Sequence, residues 1–158
     1  MEQIDILMAT YNGEKYLKEQ IESILDQTYP NFRLIISDDC SKDKTREIIK
    51  QYAEKDNRIL VYFQEKNLGY VKNFEFLLTK VENEIYMLSD QDDYWLPEKV
   101  EKTYKKLKEE NADLVFTDLT VVDNDKKVIS ESFNKLMKLS KKIEKTQNTY
   151  ELVYLYNC

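Results

Sequence analysis

Residues 90–93 read Asp-Gln-Asp-Asp, set between the apolar end of "EIYMLS" and the pair Trp95 and Pro97. Three carboxylates this close repel one another unless a positive charge sits among them. Met87, Leu88 and Trp95 are expected to be partly buried, which raises the cost of leaving the cluster uncompensated. Asp90 and Asp92 are one residue apart, a spacing that lets both face one cation. Hard divalent cations such as Mg²⁺ and Mn²⁺ take oxygen ligands and keep open positions for substrate phosphates. A calcium loop of the EF-hand kind also uses Asp-x-Asp spacing, but it needs glycine at its sixth position. Counted from Asp90 that position is Trp95, so the calcium-loop reading fails.

Polar residues recur at three other places where an apolar run ends. Thr10-Tyr11-Asn12 follows "IDILMA", and Asp38-Asp39-Cys40-Ser41 follows "RLIIS". Lys66-Asn67-Leu68-Gly69 follows "ILVYF", with Asn73 one turn further on. Ser41 and Asp43 read as helix caps. Two adjacent acids exceed what a cap requires, so Asp39 is read as a ligand contact. The chain has no histidine, which excludes serine–histidine and cysteine–histidine catalysis and imidazole metal sites. A net charge of -6 argues against a nucleic-acid partner. Two cysteines, Cys40 and Cys158, make no disulfide framework and favour a reduced, cytoplasmic compartment.

The elements that must position these groups are legible as alternating patterns. Strands are predicted at 4–9, 33–37, 59–63, 84–89 and 113–119. Between them lie helix-period segments, with apolar stripes at Leu17, Ile21, Ile24 and Leu25, at Ile48, Ile49, Tyr52 and Ala53, and at Val71, Phe74, Leu78 and Val81. A helix opening at Pro97 presents Val100, Tyr104 and Leu107. This alternation predicts an α/β fold, a Rossmann-like doubly wound, mostly parallel sheet. In such sheets ligands bind beyond the carboxyl ends of the strands, where all four polar clusters fall. Residues 123–126 form a turn between two short antiparallel strands. At 158 residues the chain holds one domain comfortably.

The ordered set "ATYNGEKYLKEQIESILDQTY", "LIISDDCSKDKT", "EKNLGYVKNFE" and "LSDQDDYWLPEKVE" resembles the family 2 glycosyltransferases with the GT-A fold. The resemblance covers about residues 3 to 120. "NLGYVKNFE" and "SDQDDYWLP" are most similar to bacterial rhamnosyltransferase-like enzymes of surface-polysaccharide synthesis. It implies an inverting transfer of a sugar from a dTDP- or UDP-sugar donor to a glycan or lipid-linked acceptor. Nucleotide-sugar contacts fall on Ala9, Thr10, Tyr11, Asp38, Asp39, Asn67, Gly69, Lys72, Asn73, Asp90 and Gln91. Among them Ala9 and Tyr11 hold the base, and Asp39 accepts a hydrogen bond from it. Asp90 and Asp92, supported by Asp93, hold Mg²⁺ or Mn²⁺ on the diphosphate.

The sequence departs from the family at Cys40, where glycine is usual. It also stops where family members continue, so residues 1–130 are read as the nucleotide-sugar-binding domain and 131–158 as the start of an acceptor-side region. The general base is expected beyond Cys158; Asp118 and Asp123 are not assigned to it. The alternative to a transferring enzyme is a truncated donor-binding fragment without transferase activity. A phosphoacceptor signalling domain would place its acidic pair after the first strand and its acceptor aspartate after the third, where Thr10-Tyr11 and Lys66-Asn67 stand. A nucleotidyltransferase would need a glycine-rich basic loop after the first strand. The lysine-rich stretch at 135–145 reads first as a solvated face, and second as a contact with the inner face of an anionic membrane.

Overall fold

The computed structural model describes residues 1–123 and 125–136 and the backbone of 153–155. It contains two compact units, Met1–Pro97 and Glu98–Cys158. The first unit runs β1 (Ile4–Thr10), α1 (Leu17–Leu25), β2 (Phe32–Asp38), α2 (Thr45–Ala53), β3 (Ile59–Phe63), α3 (Tyr70–Leu78) and β4 (Ile85–Ser89). Its strands form one parallel sheet in the order β3-β2-β1-β4. The chain steps outward from β1 to β3, then crosses back to lay β4 on the other side of β1. With right-handed crossovers, α1 and α2 take one face and α3 the other. The sheet is doubly wound, and its direction reverses between β1 and β4.

The register of β1 with β2 explains why both strands read as nearly unbroken apolar runs. Ile4, Ile6 and Met8 stand beside Phe32, Leu34 and Ile36, all buried on the face of α1 and α2. Leu17, Ile21 and Ile24 of α1 and Ile49 of α2 are buried as well. The opposite parity puts Leu7 and Ile35 in a cluster with Leu77 of α3, and Ala9, Tyr62, Phe74 and Val81 pack against it. Strands covered on both faces have no solvent side to alternate toward. Across the α1–α2 contact, burial and the bond to Glu22 raise the Tyr52 phenol to about 12.

The helix α3 is rotated from its predicted stripe. Asn73 and Leu77 are buried, whereas Val71 is 64% exposed and Leu78 is also exposed. The cause is a polar lock: Ser37 Oγ donates to Asn73 Oδ1 at 2.6 Å, and Asn73 Nδ2 donates to the Ser37 carbonyl at 2.9 Å. Phe76 meets the edge of Tyr62 on β3. Phe74 packs against the Leu7, Ile35 and Leu77 cluster, and Val71 and Leu78 are left exposed. On β4, Tyr86 and Leu88 align with Asp5 and Leu7 on the α3 face. Leu88 is 57% exposed, contrary to the expectation that it is partly buried, because α3 packs over β1 and β2.

The amino-terminal edge of the sheet is tied by a buried carboxylate. Arg33 Nε and Nη2 donate to the two oxygens of Asp5 at 2.8 and 2.9 Å. The backbone N–H groups of Glu82 and Asn83 donate to Asp5 Oδ2 at 2.9 and 3.1 Å, and Asn83 Nδ2 donates to Oδ1 at 2.7 Å. One side chain thus joins β1, β2 and the approach to β4.

The second unit holds α4 (Lys99–Glu109), β5 (Val115–Thr117), β6 (Val121–Val122), β7 (Val128–Ser130), α5 (Phe133–Leu136) and β8 (Val153–Leu155). The helix expected to open at Pro97 begins at Lys99, with Glu98 as its cap residue. The predicted fifth strand is present but pairs in parallel with β8, in a two-stranded sheet apart from the main one. A local apolar run specifies an extended segment without specifying its neighbour. β6 and β7 are the antiparallel pair expected around the 123–126 turn. Asp118 is buried and holds the start of α5, accepting from Ser132 Oγ at 2.5 Å and from the Asn134 N–H at 3.0 Å. The acceptor-side segment 131–158 and its lysine-rich stretch lie largely outside the described residues. Among the described residues no helix is long and apolar enough to cross a membrane.

Candidate functional site

At the carboxyl edge of the sheet, the loops after β1 and β2 are laced together by their own polar groups. The Asn12 N–H donates to Ser41 Oγ at 2.8 Å, and Asn12 Oδ1 accepts the Lys42 N–H at 2.9 Å. The Gly13 N–H donates to Thr45 Oγ1 at 2.8 Å. Glu14 and Asp43 exchange bonds with each other's neighbourhood, Glu14 N–H to Asp43 and Lys44 N–H to Glu14. Asn12 takes a positive φ of 48°, which asparagine tolerates better than most residues. Asp43 also accepts the Thr45 N–H at 3.0 Å, but the cap residue of α2 is Lys44, so neither Ser41 nor Asp43 is the cap expected from the sequence.

The acidic pair after β2 is divided by strand parity. Asp38 shares the parity of Leu34 and Ile36, and it lies buried under an ion pair with Arg46 and a bond from Ser41 Oγ. Asp39 turns the other way. Its backbone N–H donates to the Thr10 carbonyl at 2.8 Å, and its carboxylate accepts the Leu68 and Gly69 N–H groups at 2.6 and 2.9 Å. Asp39 thus holds the loop between β3 and α3 beside the end of β1. Gly69 sits at φ 83°, ψ 157°, a backbone region that excludes side-chain-bearing residues. A Cβ there would meet nothing within 4 Å, so the demand for glycine is conformational.

Cys40 sits at φ 65°, the left-handed region that costs an L-residue about 1–2 kcal/mol. Its thiol donates weakly to the Glu65 carbonyl at 3.7 Å. Cys40→Gly relieves the strain and adds unfolded-state entropy of about 0.4–1 kcal/mol. A net stabilisation of roughly 0.5–1 kcal/mol is expected. Urea unfolding of both proteins at one pH measures it, and a lower midpoint for the glycine variant contradicts it.

These loops and the segment after β4 enclose a cavity of about 280 Å³ where the sheet reverses. Ala9, Thr10 and Tyr11 reach it from β1, Asp39 from β2, Asn67, Gly69 and Asn73 from the β3–α3 connection, and Asp90, Gln91 and Asp92 from the end of β4. Of the residues singled out in the sequence, Asp38, Lys72 and Asp93 do not line it. Asp38 is turned under the sheet by parity, and Lys72 points to solvent from α3. Tyr70 lines the cavity without having been foreseen. It follows Gly69 directly and stands edge-on to Phe74, with centroids 5.1 Å apart; only its position beside the glycine could have marked it.

The cavity is polar at one end and aromatic at its mouth. Partial burial, and then the Asp92 carboxylate beside it, hold the Asp90 carboxyl above its ordinary value. Two carboxylates that repel each other at one rim are the kind of pair a cation relieves. Among the described residues no group of three or more acidic or thiol side chains converges as a metal cluster. Asp90 and Asp92 offer oxygen donors of the kind Mg²⁺ or Mn²⁺ takes when ligand phosphates complete its shell.

A family model described as glycosyl transferase family 2 matches residues 5–156. The chain belongs to this family. It is 32% identical over 122 residues to a Bacillus subtilis (strain 168) glycosyltransferase, TuaG, named for teichuronic acid biosynthesis, covering 77% of this chain and 48% of that protein. It is 31% identical over 147 residues to the Escherichia coli O-antigen biosynthesis glycosyltransferase WbnJ, covering 88% and 56%. The crystal structure of S. aureus TarS 1-349 in complex with UDP-GlcNAc superposes with a TM-score of 0.70 at 29% identity. That match covers 82% of this chain and 37% of the other. A Pyrobaculum calidifontis mannosyltransferase, solved with GDP-Man and Mn²⁺, shares the fold with a TM-score of 0.68 at 20% identity, covering 75% and 35%. The chain of this family member spans about half the length of the two curated relatives.

Proposed function

We propose that the chain is the donor-binding part of an inverting glycosyltransferase that moves a sugar from a UDP- or dTDP-sugar to a glycan or lipid-linked acceptor. The setting is the cytoplasmic side of bacterial cell-surface polysaccharide synthesis. The donor-binding domain runs over residues 1–130, and the acceptor-side region begins at 131. One observation carries this reading: in a family 2 chain, the cavity at the sheet reversal joins Tyr11 and Asp39 to Asp90 and Asp92.

The division of labour follows from the chemistry of each group. Tyr11, 47% exposed, offers a ring face to a nucleobase, and Tyr70 is a second aromatic residue in the lining. Asp39 has carboxylate lone pairs left after binding two N–H groups, and these can accept from a pyrimidine N3–H. Asp90 and Asp92 would hold Mg²⁺ or Mn²⁺ against the diphosphate. The bound cation supplies charge neutralisation for the leaving group. The loops behind these residues are tied to one another, so the donor meets a site already organised.

Isothermal calorimetry with UDP and with dTDP, in Mn²⁺ and in EDTA, tests the reading. Binding of at least one nucleotide that depends on the metal is the expected result. No heat with either nucleotide at millimolar concentration would overturn it.

A further inference from the structure

The middle residue of Asp90-Gln91-Asp92 is bonded to the backbone of Tyr11 across the cavity's lining. The Tyr11 N–H donates to Gln91 Oε1 at 2.8 Å, and Gln91 Nε2 donates to the Tyr11 carbonyl at 3.1 Å. A primary amide has one acceptor and one donor edge, and here both are matched to one residue's backbone. The two bonds therefore form a closed pair, which fixes the position and the orientation of the glutamine together.

Gly13 gives independent support. Its φ is not in the left-handed region, which among the glycines only Gly69 occupies. Backbone conformation therefore does not call for glycine at 13. Space does: a Cβ on Gly13 would lie 2.3 Å from Gln91 Oε1 and 2.6 Å from its Cδ. The three nearest atoms it would meet all belong to that one side chain. The sequence keeps residue 13 bare where the Gln91 amide lies.

We propose that Gln91 is a positioning residue that pins the Tyr11 loop to the Asp90–Asp92 segment, with Gly13 as the clearance that admits it. Resting on the reading of the cavity as a donor site, the pin holds the nucleobase end and the diphosphate end in one spacing. Free of it, Tyr11 and the acid pair move independently, and a ligand spanning both must order them on binding. Gln91 thus acts through Tyr11 and its two aspartate neighbours, with one N–H and one oxygen lone pair of its amide engaged by the Tyr11 backbone.

The test is a double-mutant cycle on the 158-residue chain, read by UDP calorimetry in Mn²⁺ and by amide hydrogen exchange at Tyr11. Losing two hydrogen bonds of ordinary strength, Gln91→Ala is expected to weaken UDP by about 10-fold. Gly13→Ala, which displaces the same amide, is expected to cost about the same. In the Gln91→Ala background the added methyl meets no amide, so Gly13→Ala is expected to cost nothing further. Losses that multiply to about 100-fold would show two independent effects and overturn the proposal.

Exchange of the Tyr11 N–H should speed up in both single variants, with or without nucleotide. If Gln91→Ala leaves that exchange rate unchanged, the pin does not exist, whatever the binding data show. If Gly13→Ala alone does not fold while the double variant does, the clash with Gln91 is demonstrated directly. Failure of the wild-type chain to bind UDP would instead sink the donor-site reading, and the Tyr11 exchange would still decide the pin.

Discussion

Replacing Asp92 by alanine should weaken UDP binding in Mn²⁺ by about 30- to 1,000-fold, equivalent to roughly 2–4 kcal/mol for losing one of the two carboxylates proposed to hold the cation on the diphosphate. Asp90 and Asp92 line the cavity from the end of β4 and Asp93 does not. The other lining carboxylate, Asp39, is held by the Leu68 and Gly69 N–H groups. With Asp92 gone, the charge that helps hold the Asp90 carboxyl above its ordinary value is also gone. Asp90 then ionises more easily but faces the cation alone. Binding measured in EDTA should be the same for both proteins, because the lost contribution acts through the metal. An equal loss in EDTA would show that Asp92 touches the nucleotide itself or supports the fold. Thermal unfolding should be unaffected, since Asp92 is exposed and repels its neighbour when no cation is bound.

The largest effect on stability is expected at Asp5, at the opposite edge of the sheet. Asp5→Ala leaves Arg33 Nε and Nη2, Asn83 Nδ2 and two backbone N–H groups without that acceptor, while Arg33 Nη1 keeps Glu82, and should cost about 3–5 kcal/mol at pH 7. The acid dependence has a defined sign. Burial alone would raise the Asp5 pKa, but the bonds from Arg33, Glu82 and Asn83 outweigh it and bring the group below 3.8. A carboxylate depressed in the folded state contributes stability that is fully present above its unfolded value. That contribution is lost as the pH falls through the lower, folded value. The gap between wild type and Asp5→Ala should therefore be constant at neutral pH and narrow below about pH 4. Urea unfolding of both proteins at pH 7 and pH 3 measures it. A gap as wide at pH 3 as at pH 7 would show that the ionised carboxylate is not what stabilises the edge.

Much of the architecture was legible because β1 and β2 are covered on both faces, so their apolar runs survive any choice of register. The stripe Leu17, Ile21 and Ile24 was equally plain. The stripe on α3 was not. Apolar residues occur on two adjacent faces of that helix, and periodicity alone cannot choose between them. The choice was made by Asn73, a polar residue turned inward because Ser37 offers it both a donor and an acceptor. Asp38 and Asp39 could not be separated by spacing either. They separate once the register sets Asp38 opposite Thr10 and Arg46 claims it from α2. The neighbour of β5 is a matter of distant pairing with β8, which no local pattern carries. Cys40 was the reverse case: a departure from the glycine usual in the family, whose meaning became clear only with its positive φ.

The two polar constructions of the first unit stand at opposite ends of the same strands. Asp5 and Arg33 knot the amino-terminal edge, while the residues facing the cavity crown the carboxyl edge. Reserves and experiments are thereby kept apart. A substitution at Tyr11, Asn67 or Tyr70 alters what the pocket accepts without touching the knot, and the knot supplies the margin that lets an imperfect pocket remain folded. A lineage built on this plan can try new ligands at one end while the other keeps the fold intact.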